Sequence, residues 1–263
     1  MSAAPERATI FIDADNTLWD TDAVFAEAQL ALLDATEERL SRPAGADDRL
    51  GFVRAVDQAL AQRHHAGLRY PPRLLVRGLE LALKGASADD AARGAWRGGH
   101  SYAIADDTAG EIEAAFFAAL GTAPAIRPGV SEGLRALEAA GYLLLVVTEG
   151  ARPKVEGNAE RLGLRSFFDR IVEGPKAPTL YRRVMSLTGA PRRAFMVGDQ
   201  LDRDIAPARA AGLRTIYFPG GFRPSWAPDA KAVRPDHVIR SFAEVPGIVE
   251  AELADEPRRA AAS

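Results

Sequence analysis

Asp13 and Asp15 stand one residue apart at the end of the apolar run Ile10-Phe11-Ile12, with Thr17 two residues further on. Charged side chains are rarely buried unless they are paired or bound to an ion. Three later stretches carry matching chemistry: Thr148 closes LLLVVT, Lys176 sits in EGPKAP, and Asp199, Asp202 and Asp204 follow one another in VGDQLDRD. Singly, each has an ordinary reading. Asp15-Asn16 is turn chemistry, Thr148 is a helix cap, Lys176 is a solvated loop lysine, and the acids open a capped helix. Together they describe carboxylates that repel one another unless a cation lies among them. Carboxylate oxygens favour a hard ion such as Mg²⁺, which keeps water ligands and shares a substrate phosphate. A lysine and a hydroxyl suit the remaining phosphate oxygens.

These residues act together only if the fold gathers them. Five short apolar runs read as strands: Thr9–Ile12, Leu143–Val147, Arg170–Val172, Ala194–Val197 and Thr215–Phe218. Their continuous apolar character predicts strands covered on both faces. Helix-length segments at Ser131–Ala140, Pro153–Leu162, Thr179–Leu187 and Ile205–Ala211 alternate with them, and Gly141, Gly163, Gly189 and Gly212 mark the helix ends. Alternation of this kind predicts a parallel, doubly wound α/β sheet of Rossmann-like type. His237–Ile239 adds a candidate sixth strand and Phe242–Leu253 a closing helix. In such sheets ligands bind beyond the carboxyl ends of the strands. Asp13, Asp15, Thr148, Lys176 and Asp199 all fall at or just past those ends.

The first strand is not followed by a single crossover helix. About one hundred residues intervene before the rhythm resumes, far above ordinary connection length. Helical patterns at Val24–Leu40, Leu50–Leu60, Leu74–Leu83 and Ile112–Leu120 fill the interval, and Pro124 with Pro128-Gly129 forms a return hinge. The expected organisation is a core of residues 1–19 and 124–255, an inserted helical domain of residues 20–123, and a flexible tail of residues 256–263.

The chain has 263 residues, 47% hydrophobic and 26% charged, with a net charge of -3. That composition is globular rather than disordered, and it carries no general nucleic-acid or membrane footprint. Cysteine is absent, which excludes disulfides, thiolate zinc sites and cysteine nucleophiles. No basic stretch followed by a long apolar one opens the chain, and the longest apolar run is far too short to span a bilayer. The expectation is a cytoplasmic protein, monomer or homodimer, with a small-molecule partner and neither nucleic acid nor membrane.

The four motifs, in this order and each at a strand end, resemble the haloacid dehalogenase superfamily of hydrolases. FIDADNTLW is similar to its DxDxT signature, LLLVVTEG to its second motif, EGPKAP to its lysine motif and FMVGDQLDRDI to its GDxxxxD form. The resemblance covers about residues 8–19 and 126–240, and the helical insertion resembles the family's C1 cap. It implies a Mg²⁺-dependent phosphomonoesterase acting on a small phosphorylated metabolite. Asp13 would be the nucleophile that forms an aspartyl-phosphate, and Asp15 the acid and then base. Thr148 and Lys176 would bind phosphate. Asp13, the Asp15 carbonyl and Asp199 would hold the metal. Thr17 would fix the turn between the aspartates, and Asp204 would support metal waters or pair with Lys176.

Two departures are visible. Glu149 stands where the family often has Asn, so its carboxylate should turn away from phosphate or contact the cap. Lys176 is followed by Ala-Pro rather than Pro, which keeps Lys154 as a reserve phosphate lysine. In the cap, Leu68–Arg73 and Ala95–Tyr102 are candidate pocket segments, and His64 and His65 read as surface residues. Trp19 reads as a hinge packing residue or a substrate contact. Rival readings are a dehalogenase, disfavoured because Asp15 has no role in halide departure; a phosphomutase; a phosphonatase, for which Lys84 is the only cap lysine; and a non-catalytic binding module.

Overall fold

The structure is a computed structural model, and it describes residues 8–63, 70–188 and 194–260, without the side chains of residues 188 and 256–260. His64, His65, Leu68, Arg69 and Gly189 lie outside the described residues. Two compact units are present, Met1–Asp22 with Ala123–Ser263, and Ala23–Thr122.

The first unit is built on β1 (Thr9–Asp13). A two-residue strand, β2 (Trp19–Asp20), pairs antiparallel with β3 (Ala125–Ile126). Asp20, expected among the inserted helices, therefore belongs to the core unit, because its backbone is pinned opposite Ala125. The main sheet continues with β4 (Leu143–Thr148), β5 (Arg170–Glu173), β6 (Ala194–Gly198), β7 (Arg214–Tyr217) and β8 (His237–Val238). Its order is β5-β4-β1-β6-β7-β8, and every pairing is parallel. Because the strands are parallel, their carboxyl ends share one rim.

The alternation along β1 shows why the strand is apolar throughout. Ile10 and Ile12 pack in one cluster with Leu144, Val146, Phe195 and Val197. Phe11 faces the other way, into a cluster with Leu145, Val147, Tyr181 and Met196. Helices cover both faces, so no position along the strand is left to water.

The second unit is helical: α1 (Thr21–Leu40, whose first two residues belong to the core unit), α2 (Arg49–Arg63), α3 (Arg73–Leu83), α4 (Ala88–Arg97) and α5 (Asp106–Ala119). Helix α4 has no counterpart in the apolar periodicity. Its signal is its start, where the Ser87 hydroxyl accepts from the Asp90 N–H and Asp89 and Asp90 occupy the first turn. Glu80, fully buried, ties this unit together: it accepts from the backbone N–H groups of Ala103 and Ile104 and from Lys84 Nζ at 2.7 Å. Lys84 is thus engaged with Glu80. Of the candidate pocket segments, Tyr70 donates to Asp57, Arg73 pairs with Glu113, and Tyr102 lies under the Arg77 guanidinium at 4.4 Å.

The core unit closes with α6 (Val130–Ala139), α7 (Arg152–Arg161), α8 (Pro178–Thr188), α9 (Ala206–Ala210), the short α10 (Ala230–Val233) and α11 (Val245–Ala260). Backbone helix in α11 thus extends into the stretch expected to be flexible. Among the described residues, no helix is long and apolar enough to cross a membrane.

Phe11 is fully buried and meets the Tyr181 ring edge-on, with centroids 5.5 Å apart. Replacing Phe11 with Ala is expected to cost about 3–5 kcal/mol of core stability, read as a fall in the urea midpoint followed by circular dichroism.

Candidate active site

The loop after β1 is a tight turn. Thr17 N–H and Leu18 N–H both donate to the Ala14 carbonyl, and Asn16 adopts a left-handed conformation at φ 60°. Asn is one of the few non-glycine residues that take this geometry at low cost. Its side-chain oxygen accepts from Thr21 Oγ1 at 3.0 Å and Asp22 N–H at 2.8 Å. Backbone bonds and Asn16 therefore hold the turn. The Thr17 hydroxyl, expected to do so, is buried without a hydrogen-bond partner.

At the rim, Lys176 Nζ bonds the Asp13 carboxylate and, at 2.6 Å, Asp204 Oδ1. All three side chains are at most 7% exposed. One carboxylate oxygen each from Asp13, Asp199 and Asp204 lies within 4.8 Å of the others. Asp15 was expected in the metal set through its carbonyl. Its carboxylate turns elsewhere and accepts from the Trp19 indole N–H at 3.0 Å. Trp19 itself is fully buried, the packing role foreseen for it with a polar contact that sequence reasoning missed. Thr148 is buried at the end of β4, and its hydroxyl accepts from Gly150 N–H at 2.9 Å. A methyl group on Gly150 would lie 3.2 Å from that hydroxyl and 3.7 Å from Asp15 Oδ2. Thr148, Gly150 and Asp15 thus border one space. Lys154 is exposed on α7, which leaves Lys176 as the lysine of this cluster.

Glu149 turns sideways. It accepts from the Lys176 N–H at 3.0 Å and from the Arg203 guanidinium. Burial raises its pKa, but those two donors outweigh burial and leave it below the usual carboxylate value. The residue that departs from the family pattern thus braces the lysine loop.

Asp204 hangs from an unusual turn. Residues Leu201–Ile205 form a π-helical turn, in which Ile205 N–H donates to the Gln200 carbonyl five residues back. Asp204 Oδ2 in turn accepts from Gln200 N–H at 2.9 Å. Gly198 is required beneath it, because a Cβ there would lie 2.5 Å from Asp204 Cγ.

The electrostatics fit a cation. Burial pushes Asp13 up to about 7, with Lys176 pulling against it and Asp204 adding to it. Asp199 is raised well above the ordinary value by burial and then by Asp13 and Asp204. Burial lowers Lys176, yet its two carboxylate partners more than offset this and hold it above the usual lysine value. Asp199 Oδ1 is buried and has no hydrogen-bond partner. A buried carboxylate oxygen left bare is costly, and a hard divalent ion among Asp13, Asp199 and Asp204 would satisfy it.

The family model for haloacid dehalogenase-like hydrolases matches residues 8–212. The chain belongs to that family. It is 34% identical over 127 residues to the phosphoglycolate phosphatase of Chromobacterium violaceum, covering 46% of this chain and 54% of that protein. It is 32% identical over 101 residues to the glyceraldehyde 3-phosphate phosphatase of Pyrococcus furiosus, covering 36% and 42%. The chain thus spans about half the length of the curated relatives it matches. A haloacid dehalogenase-like family hydrolase from Xanthomonas campestris shares the fold, with a TM-score of 0.63 at 23% identity over 96% of this chain and 99% of that one.

Two outcomes follow for this haloacid dehalogenase-like hydrolase. Gly198→Ala pushes on Asp204, and a displacement of about 1 Å near reacting groups costs on the order of 100-fold in rate. A folded Gly198→Ala protein is expected to lose about that much hydrolase turnover. The second outcome concerns pH. A carboxyl that titrates near 7 when folded and near 3.8 when unfolded binds its proton more tightly in the native state. Metal-free protein should therefore lose stability as pH rises from about 4 to 7. A divalent ion held among these carboxylates would need the ionised form, so a rise in Tm on adding Mg²⁺ to EDTA-treated protein would be larger at pH 7.5 than at pH 5.

Proposed function

We propose that this chain is a Mg²⁺-dependent phosphomonoester hydrolase acting on a small phosphorylated metabolite through an aspartyl-phosphate. The observation that carries the reading is Lys176 Nζ bridging Asp13 and Asp204 beside the bare, buried oxygen of Asp199. The phosphatase names of the partial relatives support it.

In this reading Asp13, Asp199 and the backbone carbonyl of Asp15 would hold Mg²⁺, and Asp204 supports Lys176 and would support waters on the ion. The ion supplies charge neutralisation where phosphate meets carboxylate. Asp13 attacks phosphorus with one oxygen while Lys176 steadies the other and the phosphate oxygens. Thr148 receives the transferring phosphoryl group, and the Gly150 N–H holds the Thr148 hydroxyl in place. The Trp19 indole holds Asp15 by Oδ1, which leaves Oδ2, the oxygen bordering Gly150, to give a proton to the departing alkoxide. The same carboxylate then takes a proton from the water that cleaves the aspartyl-phosphate. The presence of Asp15 separates this chemistry from dehalogenation, because an alkoxide needs that proton and a halide does not.

The inserted helical unit acts in this reading as a C1 cap, closing to exclude bulk water during turnover. A lid of that kind suits a small metabolite.

Asp13→Asn keeps the shape of the side chain and removes the nucleophile. It is expected to abolish phosphate release from 4-nitrophenyl phosphate and from a panel of phosphorylated metabolites, with an unchanged circular dichroism spectrum. Wild type should release phosphate only with Mg²⁺ present. Release by the Asp13→Asn protein at the wild-type rate would remove Asp13 from the mechanism.

A further inference from the structure

The site has a metal edge and a phosphate edge, and one side chain on the metal edge has no assigned task. Arg127 follows β3, where the chain re-enters the core unit, and it is half-buried. Its Nη1 donates to the Asn16 carbonyl and, at 3.3 Å, to the Phe218 carbonyl; its Nη2 donates to the Pro219 carbonyl at 2.7 Å. The guanidinium also lies 3.6 Å above the Phe218 ring, and the Arg127 backbone N–H donates to the Leu18 carbonyl at 3.1 Å. Three carbonyls from two loops thus converge on one planar cation. Only a guanidinium offers enough donors in that plane.

The two loops it joins are the ones that enclose Asp199. Asn16 directly follows Asp15, in the turn that starts from Asp13. Pro219 directly precedes Gly220, where a Cβ would meet Asp199 Oδ2 at 2.8 Å and the Asn16 Cβ at 3.4 Å. Gly220, Asn16 and Asp199 are therefore packed at backbone range. A shift of either loop changes the distance between Asp199 and the Asp13–Asp15 turn.

We propose that Arg127 is a positioning residue for the cation site, clamping the Asp13–Asn16 turn against the Phe218–Gly220 loop so that Asp199 keeps its place among the metal oxygens. This rests on the reading that Asp13, Asp199 and Asp204 surround a divalent ion. Arg127 touches neither substrate nor ion; it acts through the Asn16 carbonyl, three residues from Asp13 and next to Asp15, and through the Phe218 and Pro219 carbonyls, which lead into Gly220 against Asp199. Groups that orient metal ligands change metal affinity by about 10–100-fold when removed.

The test is the affinity of the full chain for Mn²⁺, followed by electron paramagnetic resonance, for wild type, Arg127→Ala, Arg127→Lys and Val249→Ala. Val249 is a fully buried residue of α11, and its truncation supplies a stability control far along the chain from the clamp. Arg127→Ala is expected to weaken Mn²⁺ binding by about tenfold or more. Arg127→Lys, with one charge and fewer directed donors, should fall between wild type and Arg127→Ala. Val249→Ala should lower Tm and leave Mn²⁺ affinity within about twofold of wild type. The proposal is overturned if Arg127→Ala lowers Tm but binds Mn²⁺ like wild type, or if Arg127→Lys is indistinguishable from wild type. It is also overturned if wild type binds no Mn²⁺. Wild type that binds Mn²⁺ tightly yet releases no phosphate from any ester would sink the phosphatase reading and leave the clamp to be judged on the affinities alone.

Discussion

Lys176 between Asp13 and Asp204 is the contact on which the rest of the site depends. Three buried carboxylates gathered at the end of a parallel sheet are unstable by mutual repulsion and by loss of water. One ammonium offsets one of them and leaves two negative charges, the charge that a single divalent cation carries. The bare oxygen of Asp199 marks where that deficit is greatest. A divalent cation in place would bring these four groups to neutrality.

Neutrality alone would not hold these groups at working distances, and much of the surrounding sequence serves that end. Gly198 leaves room for Asp204, which a Cβ there would strike. The π-helical turn at Leu201–Ile205 swings Asp204 back toward the strand, where the Gln200 N–H takes its second oxygen and frees the first for Lys176. Glu149 fixes the backbone of Lys176 and pairs with Arg203 of that same π turn, so the loops after β4, β5 and β6 are joined through one carboxylate. A glutamate beside other buried carboxylates is unfavourable when it faces them. Here it has been turned into a strut, and its two donors keep it ionised and outward.

The sheet and the central cluster were legible in the sequence because both leave local marks. Strands buried on two faces give short apolar runs, and the chemistry-bearing residues follow those runs immediately. Asp13, Thr148, Lys176, Asp199 and Asp204 could be placed on one rim from that fact and the parallel order. The contacts that organise the rim leave no such mark. Arg127 lies 111 residues from Asn16 and 91 from Phe218, and nothing in IRPG announces which carbonyls it will meet. The fate of Glu149 depends on Arg203, 54 residues away. Helix α4 escaped a search for apolar periodicity because alanine and glycine supply its buried face, Ala91, Ala92, Gly94 and Ala95. Small residues bury well but weigh little in a hydrophobic pattern.

Trp19 shows how packing and chemistry share a residue at this site. As a fully buried ring it anchors the short strand from which the chain departs into the inserted helices, a purely structural duty. Its indole N–H must find a partner once buried, and the partner is Asp15. The fold's need to satisfy that donor therefore orients the acid. One oxygen of Asp15 is committed to the core, and the other borders Gly150 beside Thr148. A carboxylate with both oxygens free would rotate, and neither oxygen would keep a fixed direction. Burying an aromatic ring at the exit of the core and fixing one oxygen of Asp15 toward Gly150 are thus met by the same hydrogen bond.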